Sequence, residues 1–379
     1  YAQISNSGTR ETDEIRERFG VINNQLTGND DILVIDFITA GFGGTHGVVG
    51  SYEFPITDRL RFRPFATYSK FDASQVGFAD ESFRGESWSV GGDLSWNFFQ
   101  RRDLFIDFVT GLRWDSVSTN NQAVDVSGRD SFFLPSVGLR LERFRDDSST
   151  SAFARIEWNL DGIAATGDPS LENLGRTDPD ADFAVFQWGF EQTLYLEPIF
   201  DSDRFQAGKS TLAHELAFRI RGQNSLGSRL APTFQDVVGG MDTVRGYPES
   251  AVAGDNIYVG TAEYRLHIPR LLEPYDEVSE NPPMVFGNPF RVRPHTRYAR
   301  PDLDVIAKAF LDVGRAENQD RLPFETDETL IGAGVGLEML VGRNINLRLD
   351  FGVALNEIEE PTQVTPGSSR LHFVFTILF

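Results

Sequence analysis

The most restrictive feature of this sequence is a recurring alternation of apolar and polar residues. Between positions 345 and 353 every odd-numbered residue is apolar, and the even-numbered ones are polar, charged or glycine; segments 104–114 and 152–160 follow a similar pattern. Successive side chains of a strand point to opposite faces, so the pattern predicts strands with one apolar face. A soluble sandwich turns that face toward a core, whereas a membrane barrel turns it toward lipid. The alternation alone leaves both folds open.

Strand length favours the membrane barrel. Crossing a bilayer takes about 9–11 residues of a tilted strand, whereas strands of soluble proteins have about 5–6 residues. Most of the predicted strands reach the longer value; they lie at 1–10, 13–24, 31–41, 45–55, 58–71, 85–99, 102–116, 130–145, 149–162, 181–197, 210–224, 254–269, 302–316, 328–341, 343–356 and 370–379.

The connections between these strands alternate in length. Short turns are predicted at 56–58, 100–102, 146–148 and 341–343, and longer loops at 72–85, 117–129, 162–180, 225–254 and 357–369. Short turns at one end and long loops at the other are typical of outer-membrane barrels. The Pro-rich segment 270–301 breaks the alternation and is interpreted as a surface excursion. The sequence therefore predicts one all-β domain over 1–379, a transmembrane antiparallel β-barrel of about 16 strands.

Composition excludes several other classes of protein. No run approaches the ~18 apolar residues of a membrane helix, and a net charge of −21 argues against nucleic acid as a partner. The five histidines are scattered without metal-ligand spacing, and no Gly-x-Ser-x-Gly elbow is present. Asp178, Asp180 and Asp182 have the opening spacing of a calcium loop but lack its glycine and glutamate. We therefore expect no enzymatic activity, no cofactor and no metal.

One arginine stands out among small and turn-prone residues in the segment 239–247. Arg245 lies in the longest interval before a run of strands, and two later strands each carry an acid, Glu263 and Asp312. An unpaired carboxylate is costly to bury. The sequence therefore predicts that Arg245 folds inward and pairs with these two wall acids.

The last predicted strand places Phe373, Phe375, Ile377 and Phe379 on one face. A strand that ends in a terminal phenylalanine resembles the signal by which outer-membrane barrels are delivered for assembly. The alternative, an edge strand of a soluble sheet, would be apolar enough to invite aggregation.

The motif Val244-Arg245-Gly246-Tyr247 resembles a loop motif of the outer-membrane insertase and translocase superfamily, which includes BAM-type insertases and two-partner-secretion transporters. The resemblance continues through segments 310–314 and 332–338, in the same order and on consecutive strands. It implies that loop six folds into the lumen, where Arg245 pairs with Glu263 and Asp312. The other wall residues implied at this site are Phe310, Gly314, Gly334, Gly336 and Glu338.

The first third of the chain resembles one branch of that superfamily. Segments 6–12 and 23–30 are similar to the first two barrel strands of two-partner-secretion transporters, the exporters of haemolysins and filamentous haemagglutinins, and segment 51–56 is similar to their fourth strand. The resemblance implies periplasmic POTRA domains upstream of Tyr1, outside this sequence.

The function implied by the resemblance is export of an unfolded partner polypeptide across the outer membrane of a Gram-negative cell. The implied partners are this polypeptide, the lipid bilayer with its lipopolysaccharide, and the barrel-assembly machinery during biogenesis. Two alternatives stay open: a BAM-like insertase that opens between its first and last strands, and a passive pore plugged by the loop. The sequence does not identify the substrate.

Overall fold

The structure, a computed structural model, describes residues 1–73, 83–121, 126–163, 171–207, 210–272, 284–285, 288–294, 300–358 and 363–379. Its strands are β1 (Ala2–Ser5), β2 (Arg16–Asn23), β3 (Ile32–Ala40), β4 (Thr45–Thr57), β5 (Leu60–Ala73), β6 (Phe83–Arg101), β7 (Leu104–Asn121), β8 (Val126–Phe144), β9 (Ser148–Trp158), β10 (Ala184–Tyr195), β11 (His214–Asn224), β12 (Asp236–Val238), β13 (Val252–Gly254), β14 (Asn256–His267), β15 (Met284–Val285), β16 (Asn288–Pro289), β17 (Leu303–Glu317), β18 (Glu328–Val341), β19 (Ile345–Ala354) and β20 (Ser369–Ile377).

Sixteen of these strands form a closed antiparallel barrel in the order β1 to β11, β14, β17, β18, β19 and β20. The pairs β12–β13 and β15–β16 form separate two-stranded sheets. Two short helices, α1 (Glu197–Phe200) and α2 (Ser202–Gln206), lie between β10 and β11, and 3-10 turns occur at Arg10–Thr12, Pro232–Phe234 and Ile268–Leu271. The described residues contain no helix long and apolar enough to span a bilayer. The prediction of an all-β barrel of sixteen strands is confirmed.

The apolar face of the barrel strands points outward. In β17 the side chains of Leu311 and Val313 are 48% and 41% exposed, whereas Asp312 between them is fully buried. The same inversion occurs in β19, where Phe351 is 45% exposed and Asp350 is fully buried. A soluble protein buries the opposite set. The alternation that left two folds open is thus resolved in favour of a barrel with an apolar outer surface and a polar interior.

The connections divide into a short-turn end and a long-loop end. At the short-turn end the tight turns comprise residues 58–59, 102–103, 145–147 and 342–344, close to their predicted positions. At the long-loop end we call residues 159–183 loop L5, 225–255 loop L6 and 318–327 loop L7. Of the predicted excursion 270–301, the structure describes only the end of a 3-10 turn, β15, β16 and a few flanking residues.

Two predicted boundaries are wrong. The first strand was predicted over 1–10 but ends at Ser5, because Arg16 donates to the carbonyls of Thr12 and Asp13 and turns the chain back before β2. The loop predicted over 117–129 is largely strand, because the pairing of β7 with β8 continues as far as Asn121 and Val126. Loop L5 supports this extension, because its Asn173 carbonyl accepts a hydrogen bond from Thr119.

Loop residues pack against buried faces of the barrel strands near the long-loop end. One buried apolar cluster joins L6 to the inner face of β14, β17, β18 and β19; it contains Val238, Val244, Tyr247, Ala251, Val252, Ile257, Val259, Ala316, Leu330, Ala354, Ile358 and Val364. A second cluster joins L5 and L6 to β7, β8 and β10; it contains Val117, Phe132, Leu134, Leu171, Leu174, Phe183, Val185 and Leu230. The loops and the strands that they contact therefore form two buried apolar clusters at the long-loop end.

Candidate functional site

The segment Val244–Tyr247, called the latch below, lies against the inner face of the barrel wall. Arg245 binds Asp312 of β17 through two parallel hydrogen bonds, Nε to Oδ2 at 2.8 Å and Nη2 to Oδ1 at 2.9 Å, and its backbone N–H donates to Oδ2 at 3.1 Å. Arg245 is 2% exposed and Asp312 is fully buried. Bidentate charged pairs of this kind add geometric specificity to their energy, so Asp312 sets both the position and the orientation of the guanidinium.

Two further acids share the remaining guanidinium nitrogen. Nη1 of Arg245 donates to Glu263 Oε2 at 2.7 Å and to Asp350 Oδ2 at 3.2 Å. Glu263 lies in β14, Asp312 in β17 and Asp350 in β19, so one loop arginine bonds three strands of the wall. Glu263 and Asp312 are the two acids named from the sequence, and the structure places both against Arg245. Asp350 was not named.

The three acids differ in how many other cations they contact. Glu263 also accepts from Arg265 at 2.6 Å, and Asp350 contacts Lys308 at 2.8 Å and Arg348 at 2.7 Å. Within the described part of the chain, every hydrogen bond and ion pair of the Asp312 carboxylate is with Arg245. Asp312 therefore depends on the latch for its charge balance, whereas the other two acids do not.

An aromatic ring and wall glycines shape the seat of the latch. The guanidinium carbon of Arg245 lies 3.4 Å from the centroid of the Phe310 ring, a cation–π contact. A Cβ at Gly334 would collide with that ring, one at Gly336 with Asp350, and one at Gly314 with the Val244 side chain. Four of the wall residues that the resemblance implied, Phe310, Gly314, Gly334 and Gly336, thus lie around the latch.

The two residues after Arg245 fix the latch to other strands. Gly246 has φ of +99°, and a Cβ there would collide with the backbone of β19, so both conformation and space require glycine. Its N–H donates to His372 Nε2 of β20 at 3.3 Å. The hydroxyl of Tyr247, a fully buried residue, donates to Asn356 Oδ1 at 2.6 Å.

Glu338 was expected beside the latch arginine, but the structure places it farther away. It lies 3.9 Å from Lys308 Nζ and accepts a hydrogen bond from Asn346 at 3.2 Å; no contact with Arg245 is recorded among the described residues. It lines a polar cavity of about 380 Å³ on the short-turn side of Arg245, together with Arg219, Arg265, Lys308 and Arg348. The interior below the latch therefore carries charge of both signs.

A second ionic cluster, called the loop clamp below, joins the three long loops. Arg176 of L5 binds Asp255 of L6 through two hydrogen bonds at 2.6 and 2.8 Å. Arg229 of L6 binds Glu325 of L7 through two hydrogen bonds of 2.8 Å each. Arg176 also contacts Glu325 at 3.2 Å. The loop clamp, Arg176, Arg229, Asp255 and Glu325, therefore fastens L5, L6 and L7 to one another.

Burial and pairing shift the titration of the loop clamp. Burial by itself would raise the pKa of Glu325, but hydrogen bonds from Arg229 and from the backbone of Leu322, with the charge of Arg176, lower it to about 2. The hydrogen bond with Glu325 in turn raises the pKa of Arg229. Both groups are therefore charged at neutral pH, as the bidentate geometry requires.

The proposed assembly-signal residues lie at the end of the chain as the pattern indicated. Phe373, Phe375 and Ile377 belong to β20 and share one face, while His372, directly before Phe373, lies on the other face and is fully buried. Phe379 follows the strand and is 93% exposed.

The sequence reasoning missed Asp350 and the loop clamp. Asp350 carried a usable signal, because it occupies the polar face of the alternation between positions 345 and 353. The loop clamp carried none, since its members are up to 149 residues apart and lie in loops without periodicity.

Comparisons with known proteins bear on the family and the fold. A family model described as haemolysin secretion/activation protein ShlB/FhaC/HecB matches residues 1–263, which include the latch. CdiB from Escherichia coli matches with a TM-score of 0.75 and 16% identity over 100% of this chain and 62% of that chain. CdiB from Acinetobacter baumannii matches with a TM-score of 0.68 and 12% identity over 99% of this chain and 59% of that chain.

A third solved structure, BamA from Haemophilus ducreyi lacking POTRA domains 1–3, matches with a TM-score of 0.64 and 12% identity over 100% of this chain and 69% of that chain. At these identities the structural matches establish the fold alone. This chain spans less than two thirds of the length of either CdiB chain. The search of curated proteins found no match.

Proposed function

The chain belongs to the haemolysin secretion/activation protein family ShlB/FhaC/HecB, and from this membership we propose that it exports an unfolded partner polypeptide across the outer membrane. The family consists of outer-membrane barrels that act in protein secretion. The proposal adds the route: the polypeptide passes through the barrel interior, and the latch closes that route at rest.

The observation that carries the proposal is the burial of Arg245 among three wall acids. A loop that merely covered a pore would not need an arginine that is 2% exposed and bonded to β14, β17 and β19. Such a polar cluster holds the loop in one closed position, because even a partial movement of the loop would separate Arg245 from the acids that it binds. This supports a latch with a distinct closed state.

The chemistry of the interior supports passage of an extended chain. The cavity below the latch is lined by Arg219, Arg265, Lys308, Glu338 and Arg348, and the opposite wall adds Arg63, Asp93, Arg140 and Glu142. Mixed charges on a wet wall offer hydrogen bonds to a peptide backbone without an apolar surface that would retain it.

The first test compares two arginines that both face the interior. Arg245→Gln removes the latch contacts, whereas Arg219→Gln removes a half-exposed interior arginine whose partner is Glu191 at 2.7 Å. We expect Arg245→Gln, and more strongly the deletion of residues 239–247, to raise ion conductance in planar bilayers. We expect Arg219→Gln to keep the conductance of the unaltered barrel.

The same variants are then scored for export. Cells that express the transporter together with its exoprotein partner should release little exoprotein when the latch is deleted, at equal amounts of barrel in the membrane. If the deletion changes neither conductance nor export, the latch is neither plug nor part of the transport route, and the proposal fails.

A second candidate function, insertion of other barrels into the membrane, rests on the barrel seam. The first strand, β1, has only four residues and pairs with β20 through Ala2–Ser5 and Val374–Ile377. A short seam is the place where a barrel wall separates with the loss of fewest hydrogen bonds. Vesicles that contain this barrel and accelerate the folding of an added eight-stranded outer-membrane barrel would favour the insertase. Higher conductance without the latch, together with no release of exoprotein by the unaltered barrel, would favour a passive pore plugged by the loop.

A further inference from the structure

Two connections at the short-turn end expose apolar side chains, unlike the tight turns beside them. In the β10–β11 connection Ile199 and Phe200 are 74% and 59% exposed, and in the adjoining 3-10 turn and its end Ile268, Leu271 and Leu272 are 43–53% exposed. We call these five residues the rim patch. The tight turns at the same end carry charged residues instead, such as Asp58, Arg59, Arg102 and Asp103.

The two connections are held rigidly against each other. Both backbone N–H groups of Ala213 and His214 donate to the buried Glu197 Oε1, at 2.6 and 2.8 Å, which fixes α1 to the start of β11. The hydroxyl of Thr211 donates to the carbonyl of Arg270, and Arg270 donates to the Leu212 carbonyl at 3.3 Å. The rim patch is therefore a defined surface of two fastened segments.

The side chains on the interior side of this rim are polar. Arg270 reaches Asp304 at 3.0 Å and lies over the Tyr195 ring at 5.9 Å, and both of these residues belong to the inner face of their strands. Because Arg270 points toward the interior, its apolar neighbours Ile268, Leu271 and Leu272 lie on the outer side of the rim, where they are exposed.

The rim patch is continuous with the outer surface of the barrel. The Phe200 ring packs edge-on against His214 with centroids 5.4 Å apart. His214 in turn bonds the Tyr264 hydroxyl at 2.6 Å, and both belong to the outward faces of β11 and β14, in line with the exposed Phe218 and Ile220. A tyrosine at the end of an apolar band is typical of the membrane–water interface.

We propose that the rim patch is a lipid-binding surface, which inserts into the headgroup–acyl boundary of the phospholipids in the periplasmic leaflet. The short-turn end of an outer-membrane barrel faces the periplasm, so this is the leaflet that the patch meets. Short interfacial segments bury their apolar side about 5–10 Å into that boundary. The patch anchors α1 and the 3-10 turn after β14 to the membrane and fixes the tilt of the barrel at the side that carries the latch.

The test uses the absence of cysteine from the chain. Single variants Ile199→Cys and Leu271→Cys are labelled with the fluorophore NBD and folded into phosphatidylethanolamine–phosphatidylglycerol vesicles that contain lipids with a nitroxide near the headgroup or deep in the acyl chain. Asp146→Cys, exposed in a tight turn at the same end, is the water control, and Leu139→Cys, 49% exposed on the outward face, is the bilayer control. Retarded or altered gel migration before boiling shows which variants are folded.

We expect the shallow nitroxide to quench the labels at 199 and 271 several-fold more than the label at 146, and the deep nitroxide to quench the label at 139 most. Labels at 199 and 271 that iodide in the water quenches as it does the label at 146 would overturn the proposal. So would labels shielded from iodide and from both nitroxides, because the rim patch would then be covered by protein.

Discussion

At the scale of single residues, the distribution of charge around Arg245 decides which substitutions matter. Glu263 and Asp350 keep other cationic partners if Arg245 is removed. Among the described residues, Asp312 forms ion pairs and hydrogen bonds with Arg245 alone. Removing one partner of a buried pair leaves an uncompensated charge, which costs far more than removing both. The effect of losing Arg245 is therefore concentrated on Asp312.

We expect Arg245→Met to lower the free energy of unfolding by about 3–5 kcal/mol, the usual range for breaking a buried ion pair. Adding Asp312→Asn should recover part of this loss, because the orphaned carboxylate is then neutral. Urea unfolding of the single and double variants in lipid vesicles measures both values. A double variant less stable than Arg245→Met would mean that Asp312 and Arg245 are not coupled. Exchanging the two charges is less informative, since an acid at 245 would meet Glu263 and Asp350.

The loop clamp gives a pH-dependent prediction. The folded pKa of Glu325, about 2, lies below its ordinary value of 4.5. The stabilisation that ionised Glu325 gives to the loop clamp is therefore complete above about pH 4.5 and is lost as the pH falls toward about 2. We expect the conductance of the barrel to stay low from neutral pH to about 4.5 and to rise below it.

Glu325→Gln should remove that pH dependence, because the variant lacks the carboxylate at every pH. Its conductance at pH 7 should already exceed that of the unaltered barrel. The measurement is a series of bilayer recordings from pH 7 to about pH 2 on both proteins. Identical curves would show that the loop clamp does not close the barrel.

At the scale of elements, β1 is the shortest of the described barrel strands. It has four residues, whereas β6 and β8 have nineteen each, and its pairing with β20 closes the whole barrel. Export through the interior leaves this seam closed, but insertion of other barrels through the wall opens it. The seam therefore separates the two candidate functions.

Gln3 and Thr376 are register partners across the seam, so Gln3→Cys with Thr376→Cys allows a disulfide in a chain that has no other cysteine. We expect the cross-linked barrel to export its partner at the normal rate. The matched control joins β5 to β6 through Ser69→Cys and Ser87→Cys, whose hydroxyls lie 2.7 Å apart. Loss of export in the seam variant alone, restored by a reducing agent, would favour a mechanism in which the wall opens.

At the scale of the whole molecule, the barrel inverts the usual placement of apolar residues. Its outer surface exposes residues such as Leu112, Val335 and Phe351, while its interior holds buried ion pairs and the loop core. Exposure of this apolar outer surface to water is unfavourable, since burial of apolar surface contributes about 25 cal/mol per Å². Closed barrels also satisfy every backbone hydrogen bond without edges, which makes them slow to unfold.

We therefore expect the protein to require detergent or lipid for solubility and to migrate differently on gels before and after boiling. The unboiled barrel should keep its compact form in dodecyl sulfate, because the closed hydrogen-bond network resists the detergent. Electrophoresis of heated and unheated samples is the measurement. A chain that stays soluble and monomeric without detergent would contradict the outer-membrane location.

The sequence by itself determined the faces of the strands and the class of fold. Alternation such as that between positions 345 and 353 is a local property, because each side chain's face follows from its parity within one strand. The latch arginine and two of its acids were also readable, since an acid on the polar face of a strand must find a partner. Strand ends were predicted less accurately. Thr119 and its neighbours are polar, and a contact with L5 holds them in β7.

Only the tertiary structure decided which of the many interior charges meet. Asp350 joins Arg245 because the register of β18 and β19 sets it opposite Gly336, where the absence of a side chain leaves room. The loop clamp depends on the paths of three loops. The rim patch depends on two connections that are hydrogen-bonded in space, as in the contact of Thr211 with Arg270, which are 59 residues apart along the chain. Register, loop path and proximity across a closed sheet are non-local properties, and alternation within a strand carries no information about them.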